Sequence, residues 1–213
     1  MEKAKNSFIR TYGRRHGKKL SARQRSLIDD VLPTLIPTES DAAGAILEIG
    51  FGAGEHLITL AGQYPDKIII GAEIFINGVA KFLSKIADES GAILPEYKNI
   101  RIWPDDVRKF LPPKNLFGKI FILHPDPWPK ARHEKRRLLS ADFLKTLGGS
   151  LSNGGGIIIG TDHTDHYNWI MEQVARTNLK IESRDIDAIK TRYQEKNMFG
   201  SDGTMYLVLA PES

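Results

Sequence analysis

From residue 45 onward, short apolar segments typical of buried strands alternate with segments whose apolar residues recur at helical spacing. The predicted strands are 45–49, 67–73, 100–103, 119–123, 156–160, 179–187 and 205–210. The predicted helices between them are 55–63, 77–89, 107–111, 135–151 and 165–177. Near-continuous apolar strands that alternate with helices indicate parallel βαβ units, with helices on both faces of one sheet.

The last two strands differ from the others, because the segment that joins them, 194–203, is polar and glycine-rich rather than an apolar helix. We therefore expect the seventh strand to run antiparallel beside the sixth. The predicted fold class is α/β, with a doubly wound, mostly parallel, seven-stranded sheet of the Rossmann-like type.

The N-terminal region carries one helix motif of its own. Ser21 and Gln24 have the spacing of a capping box, and an apolar stripe follows until Pro33, which we expect to end the helix. We expect residues 1–40 to form a basic arm with this helix, and residues 41–213 to form the main domain.

Composition excludes several classes of site. The chain of 213 residues has no cysteine, so it cannot hold a disulfide, a thiol nucleophile or a cysteine-ligated metal. No apolar run approaches the roughly 18 residues that span a bilayer, and no apolar segment of a secretion signal follows the basic N-terminus. We expect a cytoplasmic protein without membrane contact; the sequence does not indicate an oligomeric state.

Charge is distributed unevenly along the chain. Residues 1–25 carry nine basic side chains and one acid, whereas the remaining residues carry 21 basic and 25 acidic side chains. A cationic arm on a mildly acidic body is typical of proteins that bind a polyanion, because Lys and Arg displace the counterions of phosphates. A disordered solubilising tail is the alternative interpretation of the arm.

The first predicted strand runs into three glycines, Gly50, Gly52 and Gly54, before a helix. Such a turn lets a nucleotide-containing cofactor approach the backbone closely. The third glycine of the dinucleotide fingerprint is absent, since Glu55 stands there, and a carboxylate is unfavourable beside a pyrophosphate. S-adenosyl-L-methionine has no phosphate and is cationic at its sulfonium and ammonium, so it suits an acidic pocket.

Acidic residues close, or come just after, the first four predicted strands: Glu48, Glu73, Asp105 and Asp126. Because ligands of open parallel sheets bind outside the carboxyl ends of the strands, we expect all four carboxylates to line one cleft. Glu73 lies about 20 residues beyond the glycines, the spacing of an acid that binds ribose hydroxyls. Asp105 is then placed for the adenine edge and Glu48 for the ammonium group of the cofactor.

Three prolines surround Asp126 and Trp128 in the segment 124–130 and predict a rigid, extended turn. A charged cluster, which we name the basic cluster, follows it: Lys130, Arg132, His133, Glu134, Lys135, Arg136 and Arg137. Its cations lie beside the predicted cleft and could bind the phosphates that flank a reacting base.

These motifs resemble those of the tRNA (guanine-N7-)-methyltransferase family. The matching segments are Leu47-Glu48-Ile49-Gly50-Phe51-Gly52-x-Gly54, Pro125-Asp126-Pro127-Trp128-Pro129-Lys130 and Arg132-His133-x-Lys135-Arg136-Arg137. The resemblance runs from the Tyr-Gly-Arg-Arg segment at residues 12–15 to the final strand. It implies the fold of class I methyltransferases, adenosylmethionine as methyl donor, and N7 of a guanine in the tRNA variable loop as the acceptor.

By the same resemblance, Glu48, Glu73, Asp105 and Asp126 would be cofactor-pocket residues, and Asp126 would also be catalytic. Further substrate-binding positions implied are Lys130, Asp162, Thr191, Arg192, Tyr193 and Gln194. The family usually has a glutamate where this chain has Gln194, and Glu195 directly follows it, so either side chain could take that role.

Other interpretations remain open at this point. Another Rossmann-fold RNA methyltransferase, a nicotinamide-dependent oxidoreductase and an RNA-binding protein without catalysis all share parts of the pattern. The acids and histidines of residues 162–166 could suggest a metal, but a strand end followed by a helix cap explains them as well. We expect no metal.

Overall fold

The computed structural model describes residues 10–111, 116–182 and 203–212. Its strands are β1 (Ile46–Ile49), β2 (Ile69–Ala72), β3 (Ile100–Trp103), β4 (Phe117–Leu123), β5 (Leu151–Thr161), β6 (Leu179–Glu182) and β7 (Met205–Pro211). They form one seven-stranded sheet in the order β3-β2-β1-β4-β5-β7-β6. Strands β1 to β5 pair in parallel, and β7 runs antiparallel between β5 and β6, which confirms the predicted α/β sheet.

Helices cover both faces of this sheet. They are α1 (Ala22–Ser26), α2 (Glu55–Gln63), α3 (Ile76–Ile86), α4 (Ala141–Ser150) and α5 (Thr164–Val174). Apolar side chains of α2 and α3 pack into one buried cluster, together with Leu27, Leu32 and Leu35 that follow α1. Those of α4 and α5 pack into a second cluster with alternate residues of β1. The two clusters are the cores expected for a sheet with helices on both faces.

The structure corrects three predicted helices. The helix predicted over 135–151 begins only at Ala141, because the Ser140 side chain caps it by accepting from the Phe143 amide, and Ala131–Arg136 form a 3-10 turn instead. The predicted helix over 107–111 is a 3-10 turn at Val107–Lys109.

The N-terminal helix is the third correction. The capping box between Ser21 and Gln24 is present, but the α-helix changes to a π-turn at Leu27–Val31 and a 3-10 turn at Leu32–Leu35. Pro33 therefore lies inside the helical segment, at the start of the 3-10 turn Leu32–Leu35, where a missing backbone N–H is tolerated.

Strand register brings the predicted site residues to one edge of the sheet. Ile49 at the end of β1 pairs with both Ala72 of β2 and Ile122 of β4, and Ala72 pairs with Trp103 of β3. The chain segments that leave these four strands therefore begin side by side. Within the described part of the chain, none of the helices has the length and apolar character needed to cross a bilayer.

Candidate active site

The glycine turn between β1 and α2 leaves open space in front of its backbone. Gly50, Gly52 and Gly54 have φ values of 79°, 58° and 77°, in the left-handed region that favours glycine. A Cβ added at Gly50 or Gly52 would meet no atom within 4 Å, whereas one at Gly54 would collide with the ring of Phe82. The first two glycines therefore border a space that a ligand can fill, and the third allows α3 to pack closely.

Glu73, the residue after β2, is tied to this glycine turn. Its Oε2 accepts from the Gly52 amide and its Oε1 from the Phe75 amide, each at 2.8 Å. Burial raises the pKa of Glu73, the two amide hydrogen bonds oppose that rise, and the negative charge of Asp126 adds to it. The carboxylates that follow β2 and β4 are thus close enough to interact.

Glu48 lies inside β1 rather than after it. The residue is only 3% exposed, and its Oε2 is 3.2 Å from Nδ1 of His56 on α2, without the alignment of a hydrogen bond. Among the described residues that Oε2 has no hydrogen-bond partner. The structure thus places Glu48 beneath the glycine turn, facing α2, and its proposed contact with the cofactor ammonium stays a prediction.

Asp105 follows β3 and is held by two cations. Arg15 donates to its Oδ1 at 2.7 Å, and Lys109 donates to its Oδ2 at 2.6 Å. Burial alone would raise the pKa of Asp105, but hydrogen bonds from Lys109, the Asp106 amide and Arg15 lower it to about 2. Asp105 is therefore a carboxylate at neutral pH, at the same edge of the sheet as Glu73.

The described part of the basic arm packs against this edge, a contact that sequence reasoning missed. Thr11 donates to Asp106 at 2.6 Å, the Arg15 carbonyl accepts from the Ile76 amide at 3.0 Å, and Gly17 donates to the Asn77 side chain at 2.6 Å. The arm thus passes over the ends of β2 and β3 and the start of α3. Charge alone predicted RNA binding for it and gave no indication of this docking.

The proline-rich turn after β4 contains the two described non-glycine residues with positive φ, His124 at 48° and Trp128 at 41°. Each precedes a proline, which normally favours an extended conformation, so both backbones are strained. Asp126 lies between them. More than a third of this residue is exposed, yet desolvation by its surroundings raises the pKa of the carboxyl. Strain of this kind is concentrated at functional sites.

Asp162 lies beside the same turn, at the end of β5. Its Oδ1 is 3.7 Å from Nδ1 of His124, and the His124 amide donates to the Gly160 carbonyl at 2.7 Å. The structure therefore brings Asp162 to the turn that carries Asp126. No three or more His, Asp or Glu side chains are grouped to hold a metal within residues 10–111, 116–182 and 203–212.

The basic cluster divides into two groups of side chains. Lys130, Arg132 and Lys135 are exposed around the 3-10 turn Ala131–Arg136. His133 packs edge-on against Trp128 with ring centroids 5.6 Å apart. Desolvation and then the charges of neighbouring cations lower the pKa of His133. Lys130, Arg132 and Lys135 thus face solvent, as phosphate contacts require, whereas His133 is half-buried.

The other three members of the basic cluster contact the protein itself. Glu134 accepts from Nε1 of Trp169 at 3.0 Å. The guanidinium of Arg136 lies over the rings of Tyr12 and Trp128, at 5.7 and 4.9 Å from their centroids. Arg137 donates to the Pro127 carbonyl at 2.9 Å. Their predicted RNA contacts are not tested by this geometry, but each has an intramolecular role.

The segment predicted to contact the substrate base lies outside the described residues. It comprises Thr191, Arg192, Tyr193 and Gln194, with Glu195 as the alternative to Gln194.

Similarity to known proteins identifies the family. A family model described as "Putative methyltransferase" matches residues 42–199. A tRNA (guanine-N(7)-)-methyltransferase of Neorickettsia sennetsu is 35% identical over 90% of this chain and 87% of its own length, and one of Rhodospirillum rubrum is 36% identical over 93% and 86%. The chain belongs to the tRNA (guanine-N(7)-)-methyltransferase family. A further member of this family, from Sphingopyxis alaskensis, is 41% identical over 72% of the chain and 70% of its own length.

Solved structures place the fold among methyltransferases. The crystal structure of the 16S rRNA methyltransferase KamB has a TM-score of 0.58 at 15% identity, covering 92% of this chain and 96% of its own. An S-adenosylmethionine-dependent methyltransferase from Listeria monocytogenes, described as putative, has a TM-score of 0.52 at 10% identity over 89% and 100%. At these identities the likeness concerns the fold alone, and it confirms the predicted class I methyltransferase architecture of this tRNA (guanine-N(7)-)-methyltransferase family member.

Proposed function

We propose that this chain transfers the methyl group of S-adenosyl-L-methionine to N7 of a guanine in tRNA, in the variable loop as its family motifs imply. The observation that carries the proposal is the hydrogen bond of Glu73 to the Gly52 amide at the open glycine turn, with Asp126 following the strand on the other side of β1 at the same edge of the sheet. The proposed setting is the cytoplasm, with residues 1–40 as an RNA-binding arm beside the catalytic domain 41–213.

The residues around the glycine turn fit the cofactor. The space in front of Gly52 is bordered by the Glu73 carboxylate, and a carboxylate stabilises a molecule with a sulfonium and an ammonium group. Both oxygens of Glu73 accept from backbone amides, and a carboxylate has about four acceptor sites, so acceptor capacity remains for a ribose hydroxyl. Asp105 can accept from the exocyclic amine of adenine at the end of β3.

The methyl donor supplies the electrophilic carbon. Guanine N7 carries a lone pair and has no proton to lose, so its direct attack on that carbon needs no strong general base. The contribution of the protein is then mainly to position the base. Asp126 is proposed to accept hydrogen bonds from N1 and N2 of the guanine, and the strained turn fixes the direction of its side chain.

The exposed members of the basic cluster suit the RNA. Lys130, Arg132 and Lys135 lie within ten residues of Asp126 in the chain and project from the turn beside it. Cations at this place can bind phosphates that flank a splayed-out base. Trp128, which is only partly buried, offers an aromatic face on which the base could stack.

The test is methylation of bulk tRNA with radiolabelled adenosylmethionine, followed by chemical cleavage at N7-methylguanine and mapping of the position. The proposal predicts label in N7-methylguanine of the variable loop. Label in an exocyclic amine would assign the chain to another class of RNA methyltransferase. If calorimetry shows binding of a nicotinamide dinucleotide and none of adenosylmethionine, the proposed cofactor is wrong.

A further inference from the structure

One cation of the basic cluster points into the protein rather than towards solvent. Arg137 donates from Nε to the carbonyl of Pro127 at 2.9 Å and from Nη2 to the carbonyl of Trp128 at 3.4 Å. These are the two residues that directly follow Asp126. Arg137 is partly buried, and with Nε committed to Pro127 it presents less of its guanidinium to an RNA phosphate than its exposed neighbours do.

The other side of Arg137 rests on a rigid aromatic surface. Its guanidinium lies over the ring of Trp169 on α5, 5.0 Å from the centroid. Trp169 is 9% exposed and is fixed by its hydrogen bond to Glu134, while His166, fully buried, stacks against it at 5.9 Å. Arg137 therefore connects the proline-rich turn to a helix of the folded core.

The proline-rich turn needs such a connection. Trp128 holds a φ of 41° directly before Pro129, a conformation that persists only where surrounding contacts enforce it. The two carbonyls bound by Arg137 belong to the peptide groups on either side of the Trp128 Cα, so the guanidinium restrains this strained residue on both sides. An arginine is suited to this because its planar donors have fixed relative directions, unlike the ammonium of lysine.

We infer that Arg137 is a positioning residue that holds the Pro127–Trp128 part of the turn, and with it the side chain of Asp126, instead of binding an RNA phosphate. The inference rests on the proposed function for the role of Asp126. Arg137 thus acts through the backbone of the turn, and its loss should lower kcat rather than weaken tRNA binding.

The test compares Arg137→Gln and Arg137→Lys with Arg132→Gln, whose side chain is exposed and stands for a phosphate contact. We expect Arg137→Gln to lower kcat at least tenfold, with the KM for tRNA within about twofold and an unchanged salt dependence of tRNA binding. Arg137→Lys keeps the charge but should still leave kcat at least threefold low. Arg132→Gln should instead raise KM and reduce the slope of log affinity against log salt by about 1.

Two outcomes would overturn the inference: full activity of Arg137→Lys, or an Arg137→Gln variant with the raised KM and reduced salt slope of Arg132→Gln. A second readout does not depend on methyl transfer. The backbone amide resonance of Trp128 should shift in Arg137→Lys and stay in place in Lys145→Gln, at an exposed lysine of α4. If wild-type protein fails to methylate tRNA while this shift appears, the proposed function fails and the positioning contact stands. An unmoved resonance would contradict the contact itself.

Discussion

Arg15 of the basic arm donates a hydrogen bond of 2.7 Å to Asp105 at the end of β3. A residue of the segment proposed to bind RNA thereby rests on an acid of the proposed cofactor pocket. Arg136 extends this connection, because its guanidinium lies over Tyr12 of the arm and over Trp128 of the proline-rich turn. The arm therefore contacts the pocket rim through Arg15, and Arg136 bridges the arm and the turn.

Replacing Arg15 should change the ionisation of Asp105. Since the hydrogen bond and charge of Arg15 are among the causes that lower the pKa of Asp105 to about 2, Arg15→Gln should raise that pKa towards its ordinary value. Because its pKa is lowered in the folded state, ionised Asp105 stabilises the fold at pH values above its unfolded pKa near 4. This contribution is lost as the pH falls towards 2. The free energy of unfolding of Arg15→Gln should therefore decrease less than that of wild type over this pH range. Carbon-13 NMR titration of the Asp105 carboxyl measures the shift, and an unchanged pKa would contradict the contact.

Two glycines of the turn, Gly52 and Gly54, should respond differently to alanine. Gly52→Ala should cost about 1–2 kcal/mol of stability from its left-handed backbone, yet weaken adenosylmethionine binding strongly, because its methyl group would fill the open space. Gly54→Ala should cost more stability, since its methyl group collides with Phe82. Gly62→Ala, in α2 with no atom within 4 Å of the added Cβ, is the control and should be neutral or stabilising. Calorimetry and thermal unfolding measure both effects; equal cofactor affinity of Gly52→Ala and Gly62→Ala would place the cofactor elsewhere.

Exposed cations of the basic cluster should contribute to tRNA affinity through phosphates. Replacing Lys130, Arg132 or Lys135 by glutamine should lower affinity for all tRNAs alike and reduce the salt slope by about 1 for each residue. Lys145→Gln, in α4, is the control because this exposed lysine lies outside the cluster. Filter binding at several salt concentrations measures the slopes. Slopes that match those of the Lys145 variant would show that the cluster does not contact phosphates.

Buried His166 should make the fold sensitive to mild acid. Burial, with the nearby charge of Arg137, lowers the pKa of His166 from 6.5 to about 4. Between pH 6.5 and 4 the unfolded chain therefore binds more protons than the folded protein. As the pH drops through this range, the free energy of unfolding should fall by on the order of 3 kcal/mol. His166→Phe should lose this pH dependence, and His16→Gln, at an exposed histidine, should keep it. Urea unfolding at pH 7, 5.5 and 4.5 makes the comparison; equal pH dependence of wild type and His166→Phe would refute it.

Periodicity and turn chemistry predicted much of the fold from local sequence. Helix α2 begins and ends where its pattern predicted, since Gly54 precedes it and its apolar face is continuous. Residues 135–140 were wrongly assigned to the start of a helix, because their charges neither prohibit nor require an α-helix and the cap that begins the helix is Ser140. Local propensity does not distinguish a 3-10 turn from the start of a long helix.

The site was predictable where it depends on strand ends and not where it depends on long-range contacts. Glu73, Asp105 and Asp126 share an edge because parallel strands end together. The contact of Arg15 with Asp105 joins residues 90 positions apart, which no local pattern encodes. Arg137 is the last cation of the basic cluster and directly precedes Leu138 and the fully buried Leu139. Its position next to these apolar residues was the sequence feature that indicated that Arg137 faces the protein.

The most direct test of the account separates chemistry from cofactor binding in Asp126→Asn. Asparagine keeps the size of the side chain but cannot accept hydrogen bonds with both of its terminal atoms, so the proposed hold on guanine N1 and N2 is lost. The single-turnover rate of methyl transfer to tRNA should fall at least 100-fold below that of wild type, while the calorimetric affinity for adenosylmethionine is largely retained. A single-turnover rate equal to that of wild type would contradict the role of Asp126 and of the turn that presents it.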